Sequence, residues 1–179
     1  MNKPKIVELK IYVKKNEYER IISSANKHQP QDVTLIIPIQ NKWVVIKKHY
    51  YQKGIYRFPS GLVKKEESLI TCGIREGYEE TGLKINMKKY LVKVFVDFIY
   101  KKKQVQWVSN VFLAEKVSGQ LRIIDDQEIE ELKLLSYEEI QGPVRDRMLQ
   151  TDSGGLKYRS ILADIVFKVI NTFNNSLPK

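Results

Sequence analysis

The chain is poor in the residues that build disulfide scaffolds and zinc sites. It holds one cysteine, Cys72, and two histidines, His28 and His49, in 179 residues. A lone cysteine excludes an internal disulfide framework, and this inventory leaves no Cys/His cluster for zinc. Long apolar runs are missing as well: no stretch approaches the roughly 20 consecutive residues that a bilayer-spanning helix needs. The opening residues, MNKPKIVELKIYVKKNEYER, lack the continuous apolar segment of a secretory signal. The expectation is a soluble, cytoplasmic protein with no membrane partner. Acidic residues are also in deficit, 21 against 31 Lys and Arg, for a formal charge of +10. Such an excess attracts polyanions. The lysines are nevertheless dispersed, as at Lys14-Lys15, Lys47-Lys48, Lys64-Lys65 and Lys88-Lys89. No helix-turn-helix or RNA-binding motif accompanies them, so nucleic acid is the weaker choice of partner. The 9 glycines and 6 prolines form no linker or low-complexity segment. One domain over residues 1–179 is expected.

Residues 5–13 alternate apolar and polar and predict a strand, and 17–26 a turn or short helix. VTLIIPI at 33–39 reads as a buried strand, Gln40-Asn41-Lys42 as a turn and 43–51 as the returning strand of a hairpin. Gly54, Pro59 and Gly61 mark 52–66 as loop. A helix follows from about Ser68 to Thr81, with Glu66 and Glu67 at its positive end and Gly82 stopping it. Residues 84–99 and 104–116 read as two long strands, and 128–136 as another. Ser136 should cap a short helix over YEEI. Ile161, Leu162, Ile165, Val166, Val169, Ile170 and Phe173 give the tail at 156–173 helical spacing. The pattern is that of a mixed α/β fold with flanking helices.

The chemistry is concentrated in GLVKKEESLITCGIREGYEETGL, Gly61 to Leu83. At helical periodicity Glu76, Glu79 and Glu80 fall within an arc of about 100°, with Ile70, Ile74 and Tyr78 opposite. Carboxylates so grouped repel one another. Arg75 can neutralise one of them but not all three. A hard divalent cation can, since Mg²⁺ and Mn²⁺ prefer carboxylate oxygens together with water and substrate phosphates. Clustered glutamates are most often just a solvated acidic face. Here the chain is otherwise strongly basic, and a glycine-containing loop and a glycine stop flank the cluster.

These residues closely resemble the box of the Nudix family: Gly61, Glu67, Arg75-Glu76, Glu79-Glu80, Gly82 and the apolar Leu83. All seven specified Gly, Glu and Arg positions match, a coincidence expected by chance on the order of once in a million chains. Gly77 departs, standing where the family has an aliphatic residue, and costs about 1 kcal/mol of helix propensity relative to alanine. The resemblance covers roughly residues 33–140. It implies an α/β/α sandwich with a mixed central sheet, in which strand 5–13 and helix 156–173 are variable extensions. It also implies a divalent-metal-dependent hydrolase of a diphosphate linkage in a nucleoside diphosphate derivative, such as a sugar nucleotide or ADP-ribose. Dinucleoside polyphosphates and RNA 5′ ends are alternatives, as is a non-catalytic nucleotide-binding regulator. Homodimers are frequent in the family.

By position, the resemblance makes Glu79 and Glu80 metal ligands and Glu76 a ligand or the base that activates water. Arg75 would hold a glutamate by an ion pair, and the carbonyl of Ser60 or Gly61 would complete the metal shell. Glu67 is a further ligand candidate, although it lies off the carboxylate face. A further acid is expected among Asp125, Asp126, Glu128, Glu130 and Glu131, with Glu128 the first choice. Arg57 and Lys47 are candidate phosphate binders. Tyr56 and Tyr100 are candidates for substrate contact, Tyr50, Tyr51 and Phe58 for stacking a base. Cys72 and Gly73 read as small packing residues rather than a nucleophile and its neighbour, since no histidine is placed near them by any motif. His49 reads as a surface or packed residue.

Overall fold

A computed structural model describes residues 2–174, the side chains of Phe173 and Asn174 excepted, so the apolar role expected of Phe173 lies outside the described residues. The elements follow the order β1 (Lys5–Tyr12), α1 (Lys15–Lys27), β2 (Gln31–Ile36), β3 (Pro38–Ile39), β4 (Lys42–Lys48), β5 (Ser60–Leu62), α2 (Leu69–Thr81), β6 (Leu83–Tyr100), β7 (Lys103–Gly119), β8 (Ile129–Leu135), α3 (Tyr137–Glu139), a π-type turn (Ile140–Val144), α4 (Arg145–Gln150) and α5 (Gly154–Asn174).

The central sheet has the order β1-β6-β7-β2-β5 and is mixed. β1 runs parallel to β6 and β2 parallel to β7, whereas β6–β7 and β2–β5 are antiparallel. A second sheet, β3-β4-β8, is antiparallel. The apolar run expected as one strand over 33–39 is therefore divided. β2 ends at Ile36, and Pro38 opens β3 in the other sheet. Proline has no N–H to give the first ladder, so the chain changes partners there. Gln40 and Asn41, with φ of 48° and 62°, make the two-residue hairpin between β3 and β4.

Side chains alternate along β2 and on to Ile37, and serve two cores. Val33, Leu35 and Ile37 pack with Val63, Cys72, Leu83, Ile85 and Phe112 under α2. Ile36 packs on the other side with residues of β6, β7 and α5, such as Val94, Val111, Leu162 and Val166. The central sheet thus carries helices on both faces, the α/β/α arrangement that the resemblance implied. Helix α2 begins where Ser68 Oγ accepts from the Thr71 N–H at 3.1 Å, and ends at Gly82, whose φ of 69° is left-handed. Its burial inverts the usual amphipathic pattern. Ile70, Ile74 and Tyr78 are 37%, 44% and 41% exposed, while Cys72, Gly73, Glu76, Gly77, Glu80 and Thr81 are buried. The small residues explain it. A Cβ on Gly73 would lie 2.6 Å from Met87 Cε, and one on Gly77 2.6 Å from Ile85 Cδ1, so both glycines let the helix lie close on the sheet. The departure at Gly77 therefore serves packing, which offsets its propensity cost.

The tail helix is longer than the expected 156–173, because it starts at Gly154. Glu17, in the first turn of α1, accepts from the Gly154 and Gly155 N–H groups at 3.2 and 3.1 Å and from Ser153 Oγ at 2.5 Å, tying together the N-terminal ends of the two helices. Ser136 caps α3 as expected. The π-type turn and α4 were not anticipated. Pro143 inside the turn cannot close an α-type bond, and the wider turn accommodates it. Among the described residues, no helix is long and apolar enough to cross a membrane.

Candidate active site

Strand β5 pairs with β2 through Thr34↔Ser60 and Val33↔Gly61, which lays Ser60 and Gly61 beside the carboxylate face of α2. Arg75 organises that face. Its Nε and Nη2 donate to the two oxygens of Glu67 at 2.8 and 2.9 Å, a bidentate pair. Its Nη1 donates to Glu76 Oε1 at 2.6 Å and to Glu79 Oε2 at 2.9 Å, and Nη2 also reaches the Leu62 carbonyl at 3.2 Å. Arg75 thus touches three carboxylates, where one was expected, because Glu67 comes back over the helix start. Glu80 is left to other partners. It is 2% exposed, accepts from the Ser60 N–H at 2.8 Å, and pairs with Arg57 Nη2 at 3.4 Å. Arg57 also donates to the Phe58 carbonyl and the Ser60 hydroxyl.

Gly61 has a steric task here. A Cβ at this position would lie 1.7 Å from Glu76 Cδ, so only glycine lets that carboxylate rest against the strand. Burial pushes the Glu76 carboxyl above its ordinary value despite the Arg75 charge beside it, and Glu79 pushes it the same way. Burial likewise pushes Glu80 up to about 7 against the opposing pull of Arg57. Lys48 is driven down to about 7, chiefly by burial and then by repulsion from Arg57. The Cys72 thiol is pushed up to about 12 by burial and by Glu76, as suits a packing residue and not a nucleophile.

Glu76, Glu79, Ser60, Gly61 and Arg75 line a cavity of about 390 Å³, faced by Lys48, Arg57, Arg159 and Glu128. The expected residues Arg57, Ser60, Arg75, Glu76, Glu79 and Glu128 therefore converge. Glu80 lies directly behind them, and Glu67 is turned onto Arg75 and the Lys64 N–H, away from the cavity. Three expected substrate residues do not line it. Lys47 is buried on the other face of β4 and pairs with Glu130. Tyr56 donates to Glu131 at 2.7 Å and accepts from Lys133. Tyr100 packs against Tyr18, ring centroids 5.9 Å apart. Of the acidic cluster, Glu128 reaches the cavity and pairs with Lys48. Tyr50 and Tyr51 instead line a neighbouring cleft, whereas Phe58 is buried against Phe167. His49 is exposed, its Nε2 2.8 Å from the Asp126 carbonyl.

Lys48, Arg159 and Asp32 line the cavity without having been anticipated. Strand alternation was the available signal for Lys48, since it shares a face with Val44 and Ile46 rather than with Lys47. Nothing local marks Arg159, which arrives from α5.

The hard oxygen donors suit a divalent cation. Two carboxylates, Glu76 and Glu79, share one Arg75 nitrogen and face one cavity, an oxygen pair of the kind such a cation takes. Among the described residues, no three Asp, Glu, His or Cys side chains converge on one metal-sized point.

The chain is similar to known proteins. An 8-oxo-dGTP diphosphatase of Buchnera aphidicola subsp. Acyrthosiphon pisum (strain APS) is 36% identical over 84 residues, 45% of this chain and 62% of that protein. A crystal structure of a UDP-X diphosphatase superposes with a TM-score of 0.56 at 19% identity, covering 80% of this chain and 63% of the other. A NUDIX hydrolase from Nitrosomonas europaea gives 0.57 at 18% identity, covering 81% and 88%. The chain thus spans less than two thirds of the first two relatives. Residues 28–154 match the NUDIX domain, and with the Gly61–Gly82 box ordered around Arg75 the chain belongs to the Nudix family.

Proposed function

We propose that the chain hydrolyses a diphosphate linkage in a nucleoside diphosphate derivative, of the sugar-nucleotide or ADP-ribose class, with Mg²⁺ or Mn²⁺. The observation that carries this reading is the pairing of Glu76 and Glu79 on one Arg75 nitrogen, in a 390 Å³ cavity that Lys48, Arg57 and Arg159 also line. A diphosphate suits both kinds of group: cations for its oxygens, and carboxylates that would hold the ion. When bound, the ion would neutralise charge developing on the phosphate and lower the pKa of a water. Of the carboxylates expected as ligands, Glu76 and Glu79, with the Ser60 carbonyl, would hold it, and Glu80 would fix Ser60 through its N–H. Glu67 would act through Arg75, fixing the guanidinium that sets both carboxylates. Glu76 and Glu128 both line the cavity, and either could take the proton of an attacking water, a contribution of about 10²–10⁴-fold. Lys48, Arg57 and Arg159 would bind the phosphates. A cytoplasmic location fits a nucleotide substrate.

The Buchnera relative supports a second reading, in which the substrate is a nucleoside triphosphate releasing pyrophosphate. A panel of sugar nucleotides, ADP-ribose, dinucleoside polyphosphates and nucleoside triphosphates, incubated with Mg²⁺ and resolved by chromatography, separates the two. Product is expected from one class and none in excess chelator. Full activity in chelator, or no product from any compound, would sink the proposal.

A further inference from the structure

Strand β1 is an edge of the central sheet: among the described residues it pairs with β6 and with no other strand. The Val13 N–H donates to the Ile99 carbonyl at 2.9 Å, while Tyr12 stands opposite Ile99. Backbone groups alternate sides along a strand. The odd residues of β1 therefore bond to β6, and the even ones, Ile6, Glu8, Lys10 and Tyr12, turn their N–H and C=O to the free edge. A row of unpaired backbone groups is a template for another strand. Helix α5 closes the far end of the row, since a Cβ on Gly154 would lie 2.1 Å from the Tyr12 carbonyl oxygen. The open stretch is thus Ile6 to Lys10. Its side chains are incompletely covered on both faces. Val7 and Leu9 lie on the core face but are only half-buried, whereas Ile11 is 7% exposed. On the other face Ile6 is 54% exposed, Tyr12 74% and Phe95, opposite Glu8 on β6, 41%.

We propose that β1 pairs antiparallel with β1 of a second copy of the chain, about a two-fold axis at Leu9. Such an axis fixes one register, and antiparallel bonds form only between residues whose backbone groups both face the partner. With Leu9 opposite Leu9, the even residues meet each other: Glu8 opposes Lys10, Lys10 opposes Glu8, and Ile6 opposes Tyr12. Glu8 and Lys10 exchange both backbone bonds, on each side of the axis, and their side chains form two opposite-charge pairs. On the core face Val7 meets Ile11, which carries the apolar layer across the axis. Neighbouring registers lack this match. An axis at Glu8 sets Glu8 against Glu8 and Ile6 against Lys10, and one at Lys10 sets Lys10 against Lys10 and Glu8 against Tyr12. Opposite charges directly across a ladder are favourable and like charges unfavourable, so β1 is self-complementary at the Leu9 register. The same charges that discourage pairing with other strands select a second copy.

Sedimentation velocity of the full chain over a concentration series should show a monomer–dimer equilibrium. Glu8→Lys or Lys10→Glu sets like charges opposite at both pairs and should raise the dimer dissociation constant on the order of tenfold or more. Glu8→Lys combined with Lys10→Glu restores opposite charges and should return the constant to the parental range. Both side chains are exposed, so all three variants should unfold at the parental temperature. Leu9→Cys reads the register directly. Residues facing each other without ladder bonds lie about 4.5 Å apart at Cα, within disulfide reach, so this variant should form a covalent dimer under an added oxidant, and Glu8→Cys should not. Cys72 is buried and stays out of that reaction. A chain that is monomeric at every concentration, a dimer that keeps its affinity in both single variants, a double variant no tighter than the single ones, or cross-linking of Glu8→Cys but not of Leu9→Cys overturns the proposal.

Discussion

Replacing Gly61 by alanine should separate activity from stability. The added Cβ would sit 1.7, 1.9 and 2.2 Å from Cδ, Oε1 and Oε2 of Glu76, where ordinary contact begins at 3.4 Å. The carboxylate must retreat by about 1.7 Å. Its bond to Arg75 Nη1, at 2.6 Å, is then lost, and with it the alignment with Glu79. All three clashing atoms belong to the end of a flexible side chain, so the backbone need not move. Overpacking costs about 1–3 kcal/mol where it is rigid, and the lower end applies here. In a chain this long, that shifts Tm by about 2–4 °C. Activity is less forgiving: a 1 Å misplacement costs about 10²-fold, and metal–ligand distances tolerate only about 0.2 Å. The expected result is a fall in kcat/KM of about 10²-fold or more with near-parental thermal unfolding. A Gly61→Ala protein as active as the parent would refute the role given to Glu76. A Tm fall of more than about 10 °C would show that the strand, not the carboxylate, yields.

Glu80→Gln should reduce turnover by at least about 10²-fold, read with the substrate identified by the panel. It should lower stability by about 1–3 kcal/mol in urea titrations, because Arg57 keeps the Ser60 and Phe58 carbonyls but loses its buried charge partner. Turnover at the parental rate would exclude Glu80 from the reaction. Glu17→Gln should also destabilise by about 1–3 kcal/mol at neutral pH, since four donors, from Lys14, Ser153, Gly154 and Gly155, converge on the carboxylate. Burial alone would raise this carboxyl, but the Ser153 hydroxyl and the three N–H groups outweigh it and hold it below the ordinary 4.5. Its stabilisation is therefore present above the unfolded-state value and lost as pH falls through the depressed folded one. The gap between parent and variant should shrink in acid-denaturation curves, and a gap that widens on acidification would contradict the assignment.

The Gly61–Gly82 spacing was legible because helical periodicity is local. Seven positions, a Ser68 cap and a Gly82 stop place Arg75, Glu76, Glu79 and Glu80 before any tertiary contact is known. The two long strands expected over 84–99 and 104–116, found as β6 and β7, were legible for the same reason. What lay beyond reach was which face of each element meets which partner. Ile70, Ile74 and Tyr78 resemble a core stripe, yet the acidic side is buried, because Gly73 and Gly77 let the sheet come close and Arg57 and Arg75 compensate the charge. Lys47 and Lys48 differ only in parity along β4, and the sheet decides which one turns to the cavity. Asp32 and Arg159 stand 127 positions apart, and no periodicity links them. The chain by itself determined the helix that carries the acids. Only tertiary structure brought the cations to it, because those contacts depend on how strands and helices stack and not on spacing within any one of them.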